Sequence, residues 1–336
     1  MRRLRILTWH VHGSYLYYLT QVPHDLYVLS KPERGAGYSG RYGPFLWGDN
    51  VHDMPVGELD RQEFDCVLFQ HEKHYLEDQH EILTAAQRDL PRIYLEHDPP
   101  RGSPTDTRHP VDDPDTLLVH VTPFNRLMWD NGRTPTRVID HGVIAPTGVK
   151  YDGSLARGLV VVNHLARRGR RLGADVFADA RTQVPLDLVG MGAGEAGGLG
   201  EIRHDELPAF AARYRFFFNP IRYTSMGLAV IEAMLLGMPI VGLATTEMAT
   251  AIENDVSGYV DTEPARLVER MRELLADPQR ARTLGAGARR YARERFGIER
   301  FVADWCDALG TVTRSTRDVP RPGSWQAKRG AVKLAR

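Results

Sequence analysis

The chain has 336 residues, 42% of them hydrophobic and 26% charged, with 43 Lys+Arg against 43 Asp+Glu. That length predicts two domains, each with its own core, and the neutral balance excludes the basic footprint of a nucleic-acid binder. Cys66 and Cys306 lie far apart without metal-ligand spacing and fit a reducing compartment. No apolar run reaches membrane-spanning length, and Met1-Arg2-Arg3 leads straight into a strand rather than a signal peptide. The expectation is a cytoplasmic protein with no transmembrane segment; the oligomeric state stays open.

Leu4–Trp9 reads as a first strand, followed by His10-Val11-His12-Gly13-Ser14 and an aromatic helix start at Tyr15, Tyr17 and Tyr18. A strand that ends in a Gly-containing turn before a helix presents backbone amides to ligands in open α/β sheets. His12, Gly13 and Ser14 are therefore candidates, against the plainer reading of a tight turn with surface histidines. Leu26–Leu29 is a second strand, and Gly35–Gly48 is a long loop suited to a lid or an acceptor contact. Asp65–Gln70, Arg92–Glu96, Thr116–Val121 and Thr136–Ile139 read as further strands with helices between them, which predicts a parallel sheet. The strand before Pro99-Pro100 ends at His97, a position that faces the crevice of such sheets. The alternative for His97 is a histidine that caps the strand. Asp112-Asp113-Pro114-Asp115 has the chemistry of a solvated turn rather than a metal site.

Residues 1–145 form the first domain on this reading, residues 146–157 a Pro/Gly-rich linker, residues 158–310 the second domain, and residues 311–336 a basic tail, either disordered or packed on the first domain. Gly158–Val162 is a buried strand, and four arginines follow at 167, 168, 170 and 171. Guanidinium forks pair with phosphate oxygens, and cations at a helix start oppose the macrodipole unless an anion is bound. Arg170 is the first choice for a diphosphate clamp and Arg168 the second. After the strand Pro185–Val189, Gly192–Gly197 formally matches a dinucleotide fingerprint, but further glycines at 198 and 200 leave no helix opening there. A strand is expected around Glu201–His204.

The most informative stretch is Phe216–Leu243. Phe216–Phe218 is a buried strand closed by Asn219-Pro220; Thr224 and Ser225 can cap a helix that runs from Leu228, with Gly227 admitting a ligand close to the backbone. Gly237 and Pro239 end the helix before the strand Ile240–Leu243. Glu232 is the one charged residue inside it. The amides at Met226, Gly227 and Leu228 make an anion site. Pro264–Ala276, Arg280–Phe296 and Phe301–Leu309 read as the closing helices.

The run Glu232-Ala233-Met234-Leu235-Leu236-Gly237-Met238-Pro239 resembles the Glu-Ala-Met-x-x-Gly-x-Pro tail of the retaining glycosyltransferases of family 4. Thr224 stands where that family carries the first of two glutamates. The resemblance extends to His97, to the His141-Gly142-Val143 turn, and to His164 and Arg170 at the positions of the family's arginine and lysine. It implies an α/β GT-B fold, two Rossmann-like domains facing each other across a cleft, and a retaining, metal-independent transfer from a nucleotide sugar of UDP or GDP type, with no other cofactor. It also implies that Glu232 holds the donor ribose and His97 orients the sugar. Arg168 and Arg170 would neutralise the diphosphate, while Gly13, Ser14, Thr224, Ser225, Met226, Gly227, Leu228 and His204 line the donor. The acceptor, a small molecule or a glycan, is not identified. Two rivals remain: a catalytically silent nucleotide-sugar binder, motivated by Thr224, and an NAD-dependent oxidoreductase, motivated by Gly192–Gly197.

Overall fold

A computed structural model describes residues 2–43 and 45–315. The first sheet contains β1 Arg5–Thr8, β2 Asp25–Ser30, β3 Val51–Pro55, β4 Cys66–Phe69, β5 Arg92–Glu96, β6 Thr116–His120 and β7 Thr136–Val138. Its order is β3-β2-β1-β4-β5-β6-β7 and every pairing is parallel. The second sheet contains β8 Leu155–Val161, β9 Leu186–Val189, β10 Tyr214–Asn219, β11 Ile240–Leu243 and β12 Gly258–Asp261, in the order β12-β11-β10-β8-β9, again wholly parallel. Parallel strands covered on both faces need apolar side chains on both, and β4 and β10 are buried at every residue. The order in which successive strands are added reverses between β1 and β4 in one domain and between β8 and β10 in the other. Crevices outside the carboxyl ends of the strands open at such switch points. The segments after β1, β5, β8 and β10 carry most of the candidate residues.

The helix Leu228–Leu236 is apolar nearly all round because it lies between the second sheet and the helix Pro278–Phe296. Gly237 closes it at φ 96°, a left-handed conformation that costs glycine nothing. A Cβ at Gly285 would overlap the Gly237 carbonyl oxygen, so the two helices meet backbone to backbone. The last helix, Ile298–Ser315, returns to the first domain: Trp305 Nε1 donates to Tyr15 Oη at 3.3 Å, and Phe301 packs edge-on against the same ring. A second tie between domains is ionic. Arg295 holds both oxygens of Asp140 at 3.0 and 3.1 Å and also pairs with Glu247, whose other oxygen accepts the Phe124 amide at 3.3 Å.

Several expectations need correction. Glu201–His204 is a loop and turn, since only Gly200 bridges to the β9 edge. β3 was not expected, because Val51-His52-Asp53-Met54-Pro55 lacks an apolar run; it is an edge strand whose His52 and Asp53 are half-buried and held by Asp25, Ser30 and Arg34. The helix after β10 starts at Leu228 with Gly227 as its cap, and neither Thr224 nor Ser225 bonds to its amides. Arg167 and Arg168 end a four-residue helix and Arg170 and Arg171 lie in the 3-10 turn after it, so no long helix dipole opposes them. β8 opens at Leu155, three residues ahead of the expected strand start. Residues 311–315 belong to the last helix, and the rest of the basic tail lies outside the described residues.

Candidate active site between the two sheets

Glu232 projects from the helix Leu228–Leu236 into a cavity of about 240 Å³ between the domains. The second domain lines it with Val161, Phe217, Ala229, Ala233 and His204; the first domain adds Tyr17, Tyr18, Phe45 and Ile144, and the connection adds Pro146. Tyr18 Oη donates to Glu232 Oε1 at 3.0 Å. Burial pushes the Glu232 carboxyl above the ordinary range, while His204 and the Tyr18 hydroxyl act against that rise. A buried carboxylate offers about four lone-pair sites, and Tyr18 is the one hydrogen-bond donor to it among the described residues. Phe45 stacks on Tyr17 at 5.2 Å and meets His204 at 5.7 Å, so the Gly35–Gly48 loop closes the outer side of the cavity. His204 reaches the cavity from a loop rather than from the expected strand.

Beside this cavity the first domain gathers three histidines. His12 and His97 lie with ring centres 4.2 Å apart, and Tyr15 contacts both His97 and His141 edge-on, at 4.8 and 5.5 Å. Burial, with His12 and His141 close by, holds His97 well below its ordinary pKa. Burial takes His141 down to about 4. His12 is open to solvent, yet enough protein surrounds its ring to lower its pKa too, against the attraction of Asp98. Near neutral pH the cluster is uncharged. The buried His141 ring is close enough to the Met226 backbone for that contact to act on its pKa, and the neighbouring Ser225 hydroxyl is buried without a hydrogen-bond partner among the described residues.

The arginines divide by partner. Arg170 is exposed and pairs with Asp175, which Arg222 also holds through two bonds. Arg168 is half-buried, and burial and the neighbouring Arg171 both act against its charge. Among the described residues no carboxylate lies within ion-pair distance of Arg167, Arg168 or Arg171. Arg168 is also close enough to His12, Asp98 and Arg101 of the first domain for their charges to act on one another. The structure thus sets Arg168 near the first domain and pairs Arg170 with Asp175. Gly13 and Ser14 begin the helix Gly13–Leu19, where a Cβ on Gly13 would touch Phe45 at 3.0 Å. Thr224, Met226, Gly227 and Leu228 form the passage from β10 into the Glu232 helix. The aspartates at 112 and 113 are occupied by Arg108, Arg133 and Arg92. Gly192–Gly197 folds into a single 3-10 turn between two left-handed glycines, with no helix opening from it. Tyr17, Tyr18 and Phe45 were missed as site residues; aromatics doubled at the start of the first helix were the available signal.

Comparison with known proteins completes the description. Residues 175–277 match the family described as "Glycosyl transferases group 1". The D-inositol 3-phosphate glycosyltransferase of Salinispora tropica is 32% identical over 115 residues, 34% of this chain and 24% of that protein. D-inositol 3-phosphate glycosyltransferase 1 of Catenulispora acidiphila is 35% identical over 112 residues, 32% of this chain and 27% of that protein. The matched stretch is therefore about a quarter of these relatives' length. Among solved structures, sucrose-phosphate synthase from Thermosynechococcus elongatus superposes with a TM-score of 0.69 at 16% identity, over 93% of this chain and 100% of that one. HepE of Anabaena in complex with UDP gives 0.66 at 16% identity, with the same coverage. The fold is GT-B. No helix among the described residues is long and apolar enough to cross a membrane.

Proposed function

We infer that the protein is a retaining glycosyltransferase that moves a sugar from a nucleoside-diphosphate sugar to a hydroxyl acceptor. The observation that carries this reading is Glu232: a carboxylate buried in a mostly apolar interdomain cavity and served by one tyrosine hydroxyl among the described residues, in a domain where Arg168 has no carboxylate within ion-pair distance among those residues. A ribose diol supplies the donors Glu232 lacks, and a charge-assisted contact of that kind is worth about 1.5–3 kcal/mol. The apolar walls then take the base. Arg168, with Arg171 and the amides at Met226–Leu228, carries the diphosphate and stabilises it as the leaving group. His97 and its neutral neighbours orient the sugar, and the leaving phosphate itself assists the acceptor hydroxyl. HepE is solved with UDP and with UDP-glucose, which favours a uridine donor. The relatives' name favours a small polyol acceptor.

The reading includes metal independence, because arginines and amides provide the positive charge. The test is release of UDP from UDP-glucose, and of GDP from GDP-mannose, with and without a polyol acceptor and with excess chelator. Release that persists in chelator supports the reading; release that is abolished and then restored by magnesium or manganese contradicts it. A second reading, a nucleotide-sugar binder without turnover, is favoured by Thr224 in the place of a family glutamate. Binding of the same donors without UDP or GDP release would support it.

A further inference from the structure

Gln70 follows β4, is 4% exposed, and has all of its hydrogen bonds assigned by chemistry alone. Its Nε2 lies 3.0 Å from Trp9 O and 3.0 Å from Thr8 Oγ1. A carbonyl oxygen only accepts, so the amide nitrogen must face Trp9. Thr8 Oγ1 donates its own proton to Leu68 O at 2.9 Å and therefore receives from Gln70. Both amide protons are used, and Oε1 is left as a pure acceptor 3.2 Å from His97 Nε2. His97 Nε2 must then carry a proton. Desolvation keeps the ring neutral near pH 7, which leaves Nδ1 without one. No hydrogen-bond partner of Nδ1 occurs among the described residues, and the ring is partly exposed in the cleft between His12 and Tyr15. The His97 carbonyl is held in turn by Asn125 Nδ2 at 3.2 Å, so the strand end cannot easily turn.

We propose that Gln70 is a positioning residue that locks His97 into the Nε2–H tautomer, so that Nδ1 accepts a hydrogen bond from a hydroxyl of the transferred sugar. The sugar's part in this rests on the glycosyltransferase reading; the tautomer does not. An acceptor-only imidazole selects a substrate group that donates, and it discriminates against donors in which that hydroxyl is absent or replaced by fluorine. The tautomer of a free histidine is easily exchanged, so the selectivity belongs to Gln70 and to the Thr8–Leu68 bond behind it.

The direct test is long-range 1H–15N NMR of the imidazole resonances of the full chain at pH 7, with His97 assigned by its loss in His97→Asn. Wild type should show a protonated Nε2 and a bare Nδ1. Gln70→Met should show both tautomers in exchange, and Gln70→Leu should do the same if the first variant folds poorly. A protonated Nδ1 or a mixture in wild type overturns the proposal, and so does a single unchanged tautomer in a folded Gln70→Met. UDP release from UDP-glucose gives the second readout. His97→Asn, which keeps a polar atom near the Nδ1 position, should retain at least about ten-fold more turnover than His97→Gln, which keeps one near Nε2. Equal loss in both overturns the sugar contact while leaving the NMR result to decide the lock. If wild type releases no UDP from UDP-glucose at all, the transferase reading with this donor has failed and the tautomer is still decided by the spectrum.

Discussion

Arg168 and Arg170 are separated by one glycine, yet their surroundings differ. Arg170 is neutralised by Asp175 at the surface, whereas Arg168 is half-buried with Arg171 beside it and no carboxylate in ion-pair reach. A cation in that position gains from a bound phosphate what it lacks in the free protein. Arg168→Ala should weaken UDP binding by about ten-fold or more, and Arg170→Ala by less than about three-fold, measured by calorimetry at fixed ionic strength. A larger effect at Arg170 would restore the order suggested by spacing. The sequence could locate the basic cluster, because residue type alone marks it. It could not rank the members, because Asp175 was five positions further on and its shared pairing with Arg222 depends on the turn between them. Gln70 illustrates the same limit: a buried glutamine between a strand and a histidine carries no local signal until β1, β4 and β5 are set side by side.

The Glu232 helix was legible as an element because its stop signals are local: Gly237 takes φ 96° and Pro239 cannot continue a helix. Its start at Leu228 was legible as well, but its cap was not, since Thr224 and Ser225 look like caps while Gly227 holds that position. Its depth was also hidden, being set by Gly285 on a helix some fifty residues later. Gly285→Ala would force the Gly237 carbonyl away and push the Glu232 helix toward the cavity. Overpacking of this kind costs about 1–3 kcal/mol. The variant should lower the melting temperature and weaken UDP binding together, whereas an exposed control such as Gly57→Ala, where a Cβ meets nothing within 4 Å, should do neither. A normal melting temperature in Gly285→Ala would mean that the two helices are not in backbone contact. β3 and the Glu201–His204 loop were misjudged because edge pairing and loop course depend on neighbours that local alternation does not reveal.

At the scale of the molecule, alternating strand and helix patterns predicted a parallel sheet in the first half, while two Rossmann-like domains facing each other were implied by the resemblance carried on residues 232–239; both sheets are parallel. The seam between them did not follow, because Tyr15, Tyr18, His141, Phe301 and Trp305 meet only after the last helix returns to the first domain. Burial of histidines has a consequence for pH. His74, His120 and His141 are each held down to about 4 by burial, below the ordinary 6.5. Below 6.5 the unfolded chain binds protons that the folded chain refuses, so stability falls as pH drops from 6.5 toward 4. Each histidine contributes at most about 1.4 kcal/mol per pH unit in that window. The melting temperature should drop steeply between pH 6.5 and 5; a flat profile there would mean that these rings are not buried neutral. The measurement that bears most directly on the central claim is calorimetric titration of UDP into wild type and Glu232→Ala at pH 7.5 in the presence of chelator. The account predicts that UDP binds wild type without metal, and that the variant, with an unchanged melting profile, binds at least about ten-fold more weakly. Equal UDP affinity in the two proteins, or NADH bound in preference to UDP, would contradict it.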